Sequence, residues 1–134
     1  MKITVIGVGK IKEKYFTDAI KEYAKRLSRY CKLEIVEVAD EKTPDGASET
    51  LNAQIKEKEG MRILQKIPES AYVVALAIDG KMLDSEELAA QMERWNVGGI
   101  SQIVFVIGGS LGLAPAVLQR ADYKLSFSKM TFPH

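Results

Sequence analysis

The stretch QIVFVIGGSLGLAP, residues 102–115, decides how the chain folds. An apolar run, Gln102–Ile107, breaks into Gly108-Gly109, and a third glycine and Pro115 follow. A strand that is apolar on both faces belongs inside a parallel sheet. Glycines at its exit mark a backbone that a ligand or another segment approaches closely. Working outward, ITVIGV (3–8) and AYVVALAI (71–78) repeat the continuous apolar pattern. LEIVEV (33–38) interleaves Leu33, Ile35 and Val36 with Glu34 and Glu37, so it reads as an edge or half-exposed strand. YKLSF (123–127) is a weaker fifth strand.

Helical patterns separate these runs. Residues 14–30 carry Tyr15, Phe16, Ala19, Ile20, Tyr23 and Leu27 as an amphipathic stripe, whose aromatics belong to the core. Residues 49–66 form a charged helix with an Ile55, Met61, Ile63, Leu64 and Ile67 side, interrupted at Gly60 and stopped by Pro68. Residues 84–95 open with Asp84 and Glu87 at capping-box spacing, and a short helix covers about 114–121. The alternation predicts one domain, 1–134, with a three-layer α/β/α architecture and a mostly parallel sheet. ADEKTPDGASET (39–50) is the one long polar loop, and no repeat or linker divides the chain.

Composition narrows the function classes. The 134 residues carry 19 basic and 18 acidic side chains, a net charge of +1. That balance leaves no global electrostatic footprint for nucleic acid. A single cysteine, Cys31, excludes an internal disulfide and reads as a small half-buried residue rather than a nucleophile. One histidine and one cysteine predict no metal site. No run approaches a membrane span and MKITVIGVGK is no signal peptide, so a cytoplasmic protein without membrane contact is expected.

In open α/β sheets ligands lie beyond the carboxyl ends of the strands. Gly7-Val8-Gly9-Lys10-Ile11-Lys12 begins like a dinucleotide fingerprint, with Asp40 where the ribose-binding acid would stand. Lys12 replaces the third glycine, so a tight strand-exit loop with exposed lysines is the competing reading. The 108–115 loop lacks the Gly-Lys-Ser/Thr of a triphosphate cradle and has no cation to neutralise a phosphate. It is either a structural turn or the wall of a site for an uncharged or positive group, held by backbone. AIDGKML (77–83) and SFSKMTFPH (126–134) leave strand ends too, and are expected to share one cleft with it. Their hydroxyls, aromatics and amides suit a nucleoside.

MKITVIGVGK, LAIDGK, FVIGGSLGL and LSFSKMTFPH together resemble the RlmH family of large-subunit ribosomal RNA methyltransferases, in the SPOUT superfamily. The resemblance covers the whole chain. It implies a SPOUT-type α/β trefoil knot and a homodimer. It also implies methylation by S-adenosylmethionine of N3 of a pseudouridine in helix 69 of 23S rRNA, on the assembled ribosome. Leu76, Gly108, Phe127, Ser128, Lys129, Met130, Thr131 and Phe132 match the family's donor-binding positions. A ligand with a sulfonium and no phosphate fits a glycine loop without basic residues. A carboxylate on that sulfonium would favour the ground state, and the three loops are poor in acid, Asp79 being the nearest. Lys10, Lys12, Lys81 and Lys129 are the loop lysines available to an RNA backbone, or else solvated surface residues. His134, the only histidine, is a candidate base for the N3 proton or a structural residue after Pro133.

The family continues past the Phe-Pro-His stretch with a further helix and a basic tail. The resemblance therefore implies an incomplete knot and an inactive form if the protein stops at His134. Two rival readings stand beside it. One is a non-catalytic α/β module that binds RNA or ribosomes and keeps the cofactor pocket. The other is a dinucleotide-dependent enzyme built on Gly7-x-Gly9.

Overall fold

A computed structural model describes residues 1–11, 14–27 and 31–127. The sequence-based expectations for Lys12, Ser128, Lys129, Met130, Thr131, Phe132 and His134 lie outside those residues. Nine elements alternate: β1 (Lys2–Val8), α1 (Lys14–Leu27), β2 (Lys32–Val38), α2 (Glu49–Gln65), β3 (Tyr72–Leu83), α3 (Ser85–Val97), β4 (Gln102–Ile107), α4 (Pro115–Arg120) and β5 (Tyr123–Phe127). The strands lie in the order β2-β1-β4-β3-β5 and every pairing is parallel. LEIVEV is the edge strand that its alternation predicts.

Side-chain alternation along the strands builds two apolar layers. Ile3, Val5, Val74, Ile103 and Phe105 point to the face covered by Phe16 and Ile20 of α1 and Leu88, Met92 and Trp95 of α3. Ile6, Val8, Val73, Ala75, Val104 and Val106 meet Ile63 of α2 and Val117 of α4 on the other. Each buried Val, Leu, Ile, Phe or Met side chain among them stabilises the fold by about 1.5–3 kcal/mol relative to exposure. The helices on one face belong to crossovers running one way along the sheet, and those on the other face to crossovers running back. That is the outcome of right-handed connections.

Local chemistry fixes the helix starts. The Ser48 hydroxyl accepts the Leu51 N–H at 3.1 Å to cap α2. Asp84 accepts the Glu87 N–H at 2.8 Å while Glu87 accepts the Asp84 N–H at 3.2 Å, a complete capping box for α3. Pro115 occupies the first turn of α4, where a missing N–H costs nothing.

Two expectations are corrected. α2 runs without a break through Gly60, which is a packing position rather than an interruption. A Cβ there would stand 2.9 Å from Ala114 Cβ and 3.2 Å from Val117 Cγ2, so the missing side chain lets α2 and α4 touch. Gly60→Ala is accordingly expected to destabilise the fold by about 1–3 kcal/mol through overpacking. It should do so although alanine is the better helix former by about 1 kcal/mol. A denaturant titration showing the alanine variant to be the more stable would refute this account of the contact.

The second correction concerns AIDGKML, expected as a loop. β3 instead continues to Leu83 and pairs with β5 across a bulge, so that Leu125 stands opposite both Leu76 and Lys81. Gly80 lies hard against β5: a Cβ there would meet Leu125 N at 2.7 Å. Residues 77–80 are thereby pushed out of register, with Ile78 fully exposed.

Candidate functional site

β1 leaves the sheet towards α1 on one face, whereas the neighbouring β4 leaves towards α4 on the other. Such a switch point opens a crevice beyond the strand ends. A cleft of about 250 Å³ lies there. Gly7–Ile11 form one wall, Ile107–Ser110 the facing wall, and Asp40, Glu41 and Glu59 line the rest. The two glycine motifs that look independent in the sequence are thus two sides of one cleft.

Each wall is shaped by its glycines. Gly9 has φ +67° and donates its N–H to Val38 O at 2.7 Å, turning the chain out of β1. The 108–113 loop folds back on itself, with the Gly112 N–H bonded to Gly109 O at 3.0 Å and Gly112 at φ +85°. A Cβ on Gly108 would stand 2.6 Å from the carbonyl carbon of Gly112, so the loop closes only over a bare α-carbon.

The residue that sequence reasoning missed is Glu59. It sits on the buried side of α2 and is only 5 % exposed. Its Oε2 accepts the Glu41 N–H at 3.0 Å. The flanking cations turn to Glu41 instead: Lys58 Nζ and Arg62 Nη2 lie 3.7 and 3.5 Å from its carboxylate. A signal was present, since Glu59 falls four residues from Ile55 and four from Ile63, both buried. An acid on that stripe is not a solvated charge. The site is therefore richer in acid than the three strand-exit loops suggest, and Asp79 is exposed on the β3 bulge rather than the nearest carboxylate.

The sequence profile of the family described as "Predicted SPOUT methyltransferase" matches residues 1–134. The chain belongs to the SPOUT methyltransferases. A protein of Bifidobacterium adolescentis is 66% identical over 134 residues, covering 100% of this chain and 84% of its own. Relatives from Bifidobacterium animalis subsp. lactis and Clostridium beijerinckii are 63% and 60% identical with the same coverage. All three are named ribosomal RNA large subunit methyltransferase H, which supports the RlmH assignment. Membership sets aside the dinucleotide-dependent reading.

Within this SPOUT methyltransferase the expected donor positions that fall on described residues lie on or just after the adjacent strands β4, β3 and β5. Ala75 and Val106 are the last registered pair of β3 and β4, so Leu76 and Gly108 lie just beyond it on neighbouring strands. Leu76 is half-buried. Phe127 ends β5 and is anchored against α1, stacked on Tyr15 with ring centres 5.6 Å apart and edge-on to Phe16 at 5.3 Å. The described cleft thus joins Gly108 to the β1 loop, while Leu76 and Phe127 lie on the opposite flank of β4.

Lys10 is exposed at the cleft, and Lys81 is exposed on the far part of β3. Cys31 is half-buried beside the first core layer, and burial raises its thiol pKa, partly offset by the N-terminal ammonium. That is the environment of an inert thiol. Among the described residues no group of three or more His, Cys, Asp and Glu could hold a metal ion. No described helix is long and apolar enough to cross a membrane.

Proposed function

We propose that the protein is an S-adenosylmethionine-dependent ribosomal RNA methyltransferase, acting at N3 of a pseudouridine in helix 69 of 23S rRNA. It works on the assembled ribosome, as a cytoplasmic homodimer. The observation that carries this is the 108–113 loop: a closed backbone turn at the end of β4, without a cation, inside a chain 60–66% identical to large-subunit rRNA methyltransferases.

The residues fit the proposed donor. Backbone groups and apolar surface at Gly108 and Leu76 suit an adenosine and a thioether-like chain, and nothing in the loop is built for phosphate. When bound, S-adenosylmethionine supplies an electrophilic methyl group on sulfur. The protein's part is placement, which can lower a barrier by about 7–11 kcal/mol when reacting atoms are well aligned. Gly108 lets the backbone approach the ligand. Phe127, held against Tyr15 and Phe16, is the described residue at the start of the proposed donor-binding set, which continues with Ser128, Lys129, Met130, Thr131 and Phe132. Lys10 and Lys81 are the described lysines offered to the RNA backbone.

The test uses the full-length protein and labelled S-adenosylmethionine on ribosomes purified without the modification. Label should enter 23S rRNA at the helix 69 pseudouridine, and methylation should block further pairing at N3. Absence of transfer despite donor binding would replace this reading with that of an RNA-binding module.

A further inference from the structure

The carboxylate of Glu59 has an oxygen that the fold does not use. Oε2 is held by the Glu41 N–H, but Oε1 has no hydrogen-bond partner among the described residues. It lies against the glycine loop, 3.3 Å from where a Cβ of Gly109 would stand, and Glu59 lines the cleft. Oε1 opens onto the cleft, so a ligand that shuts it off from solvent has to complete the carboxylate with a donor of its own. Neither neighbouring cation does so, because Lys58 and Arg62 both turn to Glu41. The described residues offer no metal-ligand group either. What the cleft lacks is an N–H or O–H donor brought by a ligand.

The position of the cleft limits which ligand. It lies between β1 and β4, whereas Leu76 and Phe127 lie across β4, on β3 and β5. If those residues hold the methyl donor, Gly108 is the shared ridge and the Glu59 side is left for the acceptor. Uridine has no hydrogen at N1, because N1 carries the ribose. Pseudouridine is joined to ribose through carbon, so its N1 keeps a hydrogen, on a ring edge distinct from N3. We propose that Glu59 is the specificity residue for the acceptor base, its free oxygen accepting the pseudouridine N1–H while N3 stays open to methylation. This inference rests on the function proposed above.

The experiment compares ribosomes carrying pseudouridine with ribosomes carrying uridine at the target, methylated by the full-length protein and by Glu59→Gln. A site built to bind a substrate N–H strongly rejects the analogue without it. A hydrogen bond to a charged group corresponds to a preference on the order of 10–100-fold. In the glutamine variant the amide oxygen takes the Glu41 N–H and the amide NH₂ faces the cleft, donor against donor. The wild type is expected to prefer pseudouridine by that factor, and Glu59→Gln to bring the two rates to within about threefold. Its affinity for S-adenosylmethionine by calorimetry should be unchanged. A variant that keeps the preference overturns the inference while leaving the methyltransferase reading intact. So does a variant whose donor affinity falls, which would place Glu59 on the donor's ammonium. A wild type that methylates neither ribosome overturns the reading of function and this inference with it. Should Glu59→Gln fail to fold, Glu59→Asp keeps the charge but withdraws it from the cleft, and carries the same expectation.

Discussion

Gly108→Ala is expected to abolish measurable S-adenosylmethionine binding and to cost the fold about 1–3 kcal/mol. The added methyl would stand 2.6 and 2.7 Å from the carbonyl carbon and oxygen of Gly112 and 2.9 Å from Leu113 N. All three are backbone atoms, so no side chain can swing aside. The loop has to open, and with it goes the Gly112 N–H bond to Gly109 O. Calorimetry gives the donor affinity and a thermal melt gives the stability. Gly46→Ala is the control: Gly46 has a positive φ (+69°), which Gly108 does not, and nothing within 4 Å of its missing Cβ. It should carry only backbone strain and leave donor affinity alone. Equal affinities for wild type and Gly108→Ala would remove this loop from the donor site.

The second large effect is expected in the core. Phe105 is fully buried in the middle of β4 and meets Phe16 edge to face, with ring centres 5.4 Å apart. Phe105→Ala should destabilise the protein by about 3–5 kcal/mol, the combined cost of lost burial and of the cavity left behind. The denaturant midpoint should fall with the slope unchanged. Phe16 also supports Phe127, so the loss should be felt at the end of β5. A loss below about 1 kcal/mol would mean that α1 closes onto the sheet and fills the gap.

The fold was legible because its strands declare their burial. ITVIGV, AYVVALAI and QIVFVI are apolar on both faces and became the three interior strands, while LEIVEV alternates and became an edge. Asp84 and Glu87 announced a helix start that the hydrogen bonds confirm. Gly60 and AIDGKML misled for one shared reason. A glycine's local meaning is a break, but here partners distant in sequence use its bare α-carbon: α4 at Gly60 and β5 at Gly80. Glu59 was hidden among the charges of α2, because ownership of a cleft is decided by the tertiary arrangement. Only the spacing to Ile55 and Ile63 hinted at burial. The family motifs mark the positions proposed for the donor, yet only the strand order reveals that the Gly7 and Gly108 loops face each other.

The strand order also sets a timetable. Lys2 pairs with Gln102 in the register of β1 and β4, so β1 acquires its second neighbour only once residues far along the chain have been made. At a synthesis rate of about 5–20 residues per second, β1 waits for about 5–20 s with one hydrogen-bonding edge open. During that interval Ile3, Val5 and Ile6, all fully buried in the finished molecule, lack the strand that completes their cover. The window closes only when the strand leading into the glycine loop emerges.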